Sequence, residues 1–458
     1  MTTLAKSLKY EIKENLSISV PLIAAQLIYA LSSFLGTAFV AQLGEDALAA
    51  SILVSIVWAS LSMLFFGILN SVSVLVSHQY GAKNYSAISQ IMGQSFWLGA
   101  IMTVLLTFVL LSLPIFMHWS SQPPTVLALA NTYIFSLIWT IPGLVILVII
   151  EQFLAGINRA KLVLRISMLI VPIEIPLIYA LVFGKFGFPN CGVAGIGYGF
   201  AITYTLTTVL LVWYLLVSAK YRPFKIFGAL NEWNMHYMKE LMRVGTPMGF
   251  MHVIEISAFA VATFWIAQFG TTLLAAHQIV IQYLSFVITM VFAMSQAVTI
   301  RVGHAVGLQD EHSVRYSYHA GVLISTVCIL FVTVGFVLIP EMFVRLDIHN
   351  LAEKKLIHEA SALLSICGIL LIFDNFRIVG FGALRGLKDT RFSMFASLFS
   401  FWFVALGVSY LLGFHFRLGG CGIWYGLVVG IASGALIVFL RMRDILKRLD
   451  LKKVMEIP

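Results

Sequence analysis

Long apolar runs alternate with short polar breaks along the whole chain. Twelve such runs cover about 16–42, 48–77, 88–116, 124–155, 161–184, 191–218, 241–268, 273–305, 317–344, 356–384, 392–413 and 419–441. Each is long enough for the ~20 residues that a spanning helix needs. The excess in several runs fits tilted or bent helices that project beyond the bilayer. The runs are continuously apolar and lack the in-out alternation of barrel strands, so they predict helices. The expected fold class is an all-α polytopic membrane protein with twelve transmembrane helices.

Composition narrows the picture further. Of 458 residues, 60% are hydrophobic and 11% are charged, against about 25% charged in an average soluble chain. A water-soluble fold of this size has no way to hide so much apolar surface. Soluble enzymes, secreted disulfide scaffolds, disordered chains and nucleic-acid binders are excluded. Cys191, Cys328, Cys367 and Cys421 have no CxxC spacing, which argues against a zinc or redox motif. Lys6, Lys9 and Lys13 precede the first apolar run, and no cleavage site follows. That run is expected to belong to the mature protein.

The formal charge of +9 is first a topology signal. Of 29 Lys and Arg residues, 23 fall on the side of the two termini, and Arg377 lies inside a run. Only Lys185, Arg345, Lys354, Lys355 and Arg417 fall on the other side. This bias predicts cytoplasmic termini in a multi-pass membrane protein. Contact with anionic membrane lipid is a second reading of the same charge.

The longest hydrophilic connection divides the chain into six runs and six. It suggests a cytoplasmic tail at 1–15, an N-lobe at 16–218, a linker at 219–240, a C-lobe at 241–441 and a basic tail at 442–458. A shift of 226 residues places Pro21 on Pro247, Thr37 on Thr263 and Ala41-Gln42 on Ala267-Gln268. It also places Gly44 on Gly270, Ala49-Ala50 on Ala275-Ala276, His78 on His304 and Gly81 on Gly307. Later, Leu154 and Gly156 match Leu384 and Gly386, and Tyr198-Gly199 match Tyr425-Gly426. The fixed offset indicates an internal duplication. An even number of spans per repeat predicts an axis along the membrane normal and a cavity between the halves, the architecture of alternating access.

Setting aside Glu341 and Glu359 close to run ends, four acidic residues lie inside the runs: Glu151, Glu174, Glu255 and Asp374. A carboxylate at the bilayer centre costs ~3 kcal/mol or more, so it usually faces protein or a wet cavity. Glu255 is flanked by Ile254, Ile256, Ala258 and Phe259. In such surroundings a carboxyl can exchange a proton near neutral pH, accept a monovalent cation or neutralise a cationic substrate. A structural bond to a neighbouring helix is the plain alternative. Asp374 has Arg377 three residues on, and an ion pair on that helical face would limit its use as a proton carrier. Glu174 lies between Pro172 and Pro176, which free nearby carbonyls and make either a cation site or a structural bond. Glu151 reads as interfacial, bonded to Arg159 or Lys161.

Weaker candidates complete the set. His78 and His304 read as helix-end caps or packing residues rather than metal ligands. His277 and Gln278 read as polar glue or as lining of an outer cavity, with Gln282 and Tyr29 as further accessory positions. Pro21 and Pro247, like Pro172 and Pro176, read as helix bends. No HExxH helix and no GxxxxGK[ST] loop occurs, so neither metalloprotease chemistry nor ATP is expected. No enzyme activity, resident metal or cofactor is anticipated.

Several short motifs occur in a telling order. The chain reads GTPMGF around Pro247, then Glu255, AAHQIV from Ala275, RVGHAVG from Arg301 and GALRGLKDT from Gly382. It also reads GKFGFPNCGVAGIGYG from Gly184. Together these resemble the multidrug and toxic compound extrusion family, in its NorM-type bacterial branch, over nearly the whole chain. The resemblance implies two pseudo-symmetric six-helix lobes around a central cavity. It implies an exporter of amphipathic, often cationic drugs and dyes, driven by inward H⁺ or Na⁺. It assigns coupling-ion or substrate contact to Glu255 and Asp374, where transported Na⁺ is the one metal to consider.

Two departures from the family pattern stand out. The span-one motif FVDT reads FLGT here, with Gly36 at the acidic position, and the span-five motif NIPL reads EIPL, gaining Glu174. The expectation is that Glu174 replaces the lost acid by reaching toward the space at Gly36. Arg377 beside Asp374 is expected to act as an internal counter-charge. The partners expected are amphipathic cationic compounds and membrane lipids, with no nucleic acid and no ATP, and the protein is expected to be a monomer. A flippase for lipid-linked sugars and a non-transporting receptor or scaffold are the alternatives.

Overall fold

The computed structural model describes residues 2–119, 123–347 and 354–455. The outermost tail positions, Met1 and 456–458, lie outside them. Twelve helices are long and apolar enough to span a membrane. They are α1 (Leu8–Ala41), α2 (Glu45–Gly81), α3 (Tyr85–His118), α4 (Pro124–Gly156), α5 (Ala160–Phe183) and α6 (Ala194–Val217). The second six are α7 (Met235–Ala267), α8 (Thr271–Gly307), α9 (Glu311–Leu338), α10 (Lys354–Gly386), α11 (Thr390–His415) and α12 (Gly419–Lys447). No strand occurs among the described residues. In hydrocarbon, helices satisfy every backbone donor and acceptor internally, which is why continuous apolar runs fold this way. The 37 residues of α8 make about 55 Å of helix, well beyond a ~30 Å hydrocarbon core.

Helix bounds depart from the apolar runs at several ends, and the ninth run shows a local cause. The ninth run was expected over 317–344, but α9 ends at Leu338 and a short helix, Pro340–Asp347, follows. Pro340 lacks a donor and pushes Ile339 out of helical geometry, to φ −133° and ψ 46°. Within α2 a break falls at Asn70, between Glu45–Leu69 and Ser71–Gly81.

The chain forms two compact units: Ala24–Gly245, and 1–23 together with 246–458. The expected tail at 1–15 is therefore not a free tail. Helix begins at Thr2, and Glu11 is buried in the second unit, where it accepts from Arg301 Nη2 (2.6 Å), Arg301 Nε (3.1 Å) and Ser317 Oγ (2.7 Å). The expected linker at 219–240 is not loose either. The Lys225 carbonyl accepts from Ser89 (2.7 Å), the Leu230 carbonyl from Trp97 (2.9 Å) and the Glu232 carbonyl from Gln94 (2.6 Å). In the basic tail, the short helix Leu451–Met455 buries Leu451, whose carbonyl accepts from Gln309 (3.3 Å).

The units repeat each other in backbone detail. Left-handed or extended positive-φ residues recur in pairs: Gly44 (108°) and Gly270 (114°), Lys83 (57°) and Gln309 (58°), Asn158 (60°) and Lys388 (61°), and Gly192 (53°) and Gly419 (59°). A Cβ on Gly156 would meet Val76 at 2.9 Å, and one on Gly386 would meet Val302 at 2.8 Å. These are the same contact at the offset seen in the sequence. Pro21, Pro172, Pro176 and Pro247 all lie inside helices. The chain passes between units at Ile23–Ala24 and Gly245–Thr246, next to the repeat-related Pro21 and Pro247.

The buried clamp on Glu11 should matter far more than an exposed ion pair. Breaking one partner of a buried pair leaves an uncompensated charge and costs about 3–5 kcal/mol. Exposed pairs are worth about 0–1 kcal/mol. Glu11→Ala should therefore lower the thermal midpoint of the purified protein by several degrees. Glu341→Ala, which removes the half-exposed partner of Arg345, should leave the midpoint unchanged.

Candidate functional site

The membrane-embedded acids collect into two separate clusters, one in each unit. In the second unit, Glu255 on α7 and Asp374 on α10 share the guanidinium of Arg377. Arg377 Nη1 donates to Glu255 Oε1 and Nη2 to Glu255 Oε2 (3.5 Å). Arg377 Nε donates to Asp374 Oδ1 (2.8 Å), with Nη2 also 2.7 Å from that oxygen. Ser397 Oγ on α11 donates to Glu255 Oε1 (3.0 Å). Glu255 is 8% exposed, Asp374 2% and Arg377 2%. The guanidinium carbon lies 4.9 Å from the Phe401 ring centre and 5.4 Å from that of Phe381, within cation–π range.

Local sequence explains how this cluster is assembled. Gly422, Gly426, Gly430 and Gly434 recur every four residues on α12 and form a small-residue face. A Cβ on each would meet α11 at Leu412 (2.7 Å), Ser409 (2.2 Å), Ala405 (2.2 Å) and Ser400 (2.9 Å). The step from Ser400 to Ala405 crosses a stretch of wide, π-type turns over Phe399–Ala405. Such turns insert a residue without losing the helix and recur at functional sites. The close approach brings Ser397 and Phe401 to the charged group. Gly434 also makes room for Arg377, because its Cβ would lie 3.0 Å from Arg377 Cδ. Trp402 Nε1 donates to the Ile254 carbonyl (3.3 Å) and pins α11 beside Glu255.

In the first unit the acids have neutral partners. Glu174 is fully buried and accepts from Ser32 on α1 and from Thr203 Oγ1 on α6 (3.1 Å). Tyr29, about one turn before Ser32 on α1, donates its hydroxyl to Glu151 Oε1 (2.9 Å). Glu151 thus bonds to Tyr29, and the expected pairing with Arg159 or Lys161 does not form. No ion pair to Glu151 or Glu174 occurs among the described residues. The expected reach toward Gly36 also takes another form. Glu174 ends on Ser32, one helical turn earlier, and a Cβ built at Gly36 meets only Ile196 at 4.0 Å. Thr203 also lines an apolar cleft of about 280 Å³ between α5 and α6, walled by Ile166, Leu169, Ile173, Leu206 and Tyr214.

The accessory candidates separate by position. His277 is fully buried, with Trp424 Nε1 donating to Nδ1 (3.2 Å) and Thr263 Oγ1 2.9 Å from Nε2. It ties α7, α8 and α12 together as polar glue. Gln278 and Gln282 are exposed on α8 and join neither acid cluster. His78 and His304 are buried in the last turns of α2 and α8, where their carbonyls cap the helix ends through Ala82 N (3.0 Å) and Leu308 N (2.9 Å). The hydroxyls that complete the clusters, Ser32, Thr203 and Ser397, were not foreseen. The buried serines at 393, 397 and 400 keep one helical face, and that spacing was a usable signal for Ser397.

Twelve spanning helices in two repeated units, each with buried acids, define a polytopic membrane transporter. The MatE family profile matches residues 21–180 and 247–411, once in each unit, beginning at the paired prolines. The chain belongs to the multidrug and toxic compound extrusion (MatE) family, in its NorM-type bacterial branch. It is 32% identical to the multidrug resistance protein NorM of Burkholderia vietnamiensis over 94% of each chain. It is 31% identical to the probable multidrug resistance protein NorM of Pseudomonas aeruginosa, over 93% of this chain and 88% of that one. Among solved structures, the fold is similar to an outward-facing multidrug resistance MATE family transporter of the MOP superfamily. The TM-score is 0.88 at 19% identity, covering 96% of this chain and 97% of that one.

The Gly434 contact gives a direct check on the packing. Gly434→Ala should displace Arg377 or Ser400 and cost about 1–3 kcal/mol, as overpacking does. Its thermal midpoint should fall. Gly407→Ala on α11, where nothing lies within 4 Å of an added Cβ, should leave the midpoint unchanged or slightly raised.

Proposed function

We propose that the protein is a secondary-active antiporter of the bacterial inner membrane with both termini in the cytoplasm. It exports amphipathic, mostly cationic compounds in exchange for H⁺ or Na⁺, with H⁺ the favoured ion. The observation that carries this reading is the pair of buried acid clusters, one per unit, in predominantly apolar helices. A carboxylate at that depth is costly, and chains that keep one usually use it in an ion or substrate pathway. The relatives named as multidrug resistance proteins support export of drug-like compounds. The apolar cleft that meets Thr203 suits the greasy body of such a substrate. The excess of Lys and Arg on one side supports the orientation.

Coupling follows from competition. A carboxylate that holds the coupling ion does not also hold a cationic substrate, so loading one releases the other. H⁺ is favoured over Na⁺ because each of these carboxylates gathers one or two hydroxyls or a guanidinium, too few oxygens to cage a metal ion. Sodium needs several converging oxygen acceptors.

Ethidium efflux from proteoliposomes, with H⁺ and Na⁺ gradients imposed separately, tests the reading. The wild type should extrude dye under an inward H⁺ gradient. Glu255→Gln and Glu174→Gln should each lower that rate at least tenfold. Efflux under neither gradient would overturn the antiporter reading, and unchanged rates in both variants would remove the acids from the mechanism.

A further inference from the structure

We propose that Arg377 is a resident cation: it occupies the seat between Glu255 and Asp374 and thereby closes this carboxylate pair to sodium and to organic cations, leaving it to exchange protons. The inference deepens the antiport reading by dividing the two acid clusters between ligands, and it rests on that reading for its place in transport.

The geometry is that of a filled site. One guanidinium reaches both carboxylates, taking both oxygens of Glu255 and Oδ1 of Asp374. Ser397 takes the remaining approach to Glu255 Oε1. Two aromatic rings, Phe381 and Phe401, hold the cation from its faces. A glycine at 434 leaves the space its methylene stem needs. An entering sodium ion would have to displace a charge that is tethered, stacked and hydrogen-bonded, and shed its own water as well. A proton has no such requirement. It adds to a carboxylate oxygen without taking a seat.

Charge balance points the same way. With both carboxylates ionised, the hydrogen-bonded group of Glu255, Asp374 and Arg377 by itself carries one net negative charge, Arg385 standing outside it on Ser295. A single bound proton makes the group neutral, which is the state a buried cluster favours. Other titratable groups lie within electrostatic reach of Glu255. They are His252 on α7 and Arg385 on α10, the latter held by Ser295 (2.6 Å). The cluster in the other unit is built differently. Glu151 and Glu174 bind only hydroxyls of Tyr29, Ser32 and Thr203, so an external cation there meets no resident competitor.

Binding of radioactive sodium to the purified full-length protein separates this proposal from a merely structural ion pair, and it needs no transport. Glu174→Gln should bind no saturable sodium. Adding Arg377→Gln to Glu174→Gln should gain about one sodium per chain, at least tenfold above Glu174→Gln alone at the same concentration, and adding Glu255→Gln should abolish the gain. Arg377→Lys, which keeps the charge, should resemble wild type. A folded Arg377→Gln that binds no more sodium than wild type would overturn the proposal. So would Glu174→Gln protein whose remaining sodium binding disappears on adding Glu255→Gln. If Arg377→Gln does not fold, the Glu174→Gln comparison decides alone. Should dye efflux fail under both gradients, the antiport reading falls while the sodium result still answers the question about Arg377.

Discussion

A charge inside hydrocarbon must find its counter-charge within the protein, and the bridge from Arg377 to Glu255 and Asp374 meets that constraint here. Much of the second unit is arranged around it. The glycine face of α12 draws α11 close, the wide turns of α11 turn Ser397 and Phe401 inward, and Gly434 admits the arginine stem. Removing either side of such a bridge strands a buried charge, whereas an apolar replacement of the whole group is often harmless. An ionic group where an apolar one would serve is therefore not explained by stability alone.

The duplication makes the contrast between the units informative. Several turns recur between them, with paired positive-φ residues such as Lys83 and Gln309, and the close contact of Gly156 with Val76 recurs as Gly386 with Val302. Their acids do not correspond. One unit binds its carboxylates with hydroxyls, and the other with a guanidinium. Two copies of one scaffold thus carry two electrostatic environments.

The spans and the duplication were readable in the sequence because they depend on composition and period, which hydrocarbon enforces residue by residue. The acids were readable for the same reason: a charge in an apolar run stands out. Partners were harder. The i,i+3 relation made Asp374–Arg377 visible, but the link from Arg377 to Glu255 joins residues 122 positions apart. Glu151 was assigned to nearby Arg159 or Lys161 because proximity along the chain was the only guide, whereas helix packing delivers Tyr29. The 1–15 segment read as a tail because Glu11 looks like any charged terminal residue until Arg301 and Ser317 surround it. Helix ends followed local chemistry, as at Pro340, which hydropathy alone overran.

A double-mutant cycle between Glu255 and Arg377 tests the central claim most directly. Unfolding free energies of wild type, Glu255→Gln, Arg377→Gln and the double variant would be compared under one set of conditions. A buried bridge predicts that the double variant is much less damaged than the sum of the singles, with a coupling energy above about 1 kcal/mol. Additivity within about 0.5 kcal/mol would mean that the two side chains do not depend on each other, and would contradict the account.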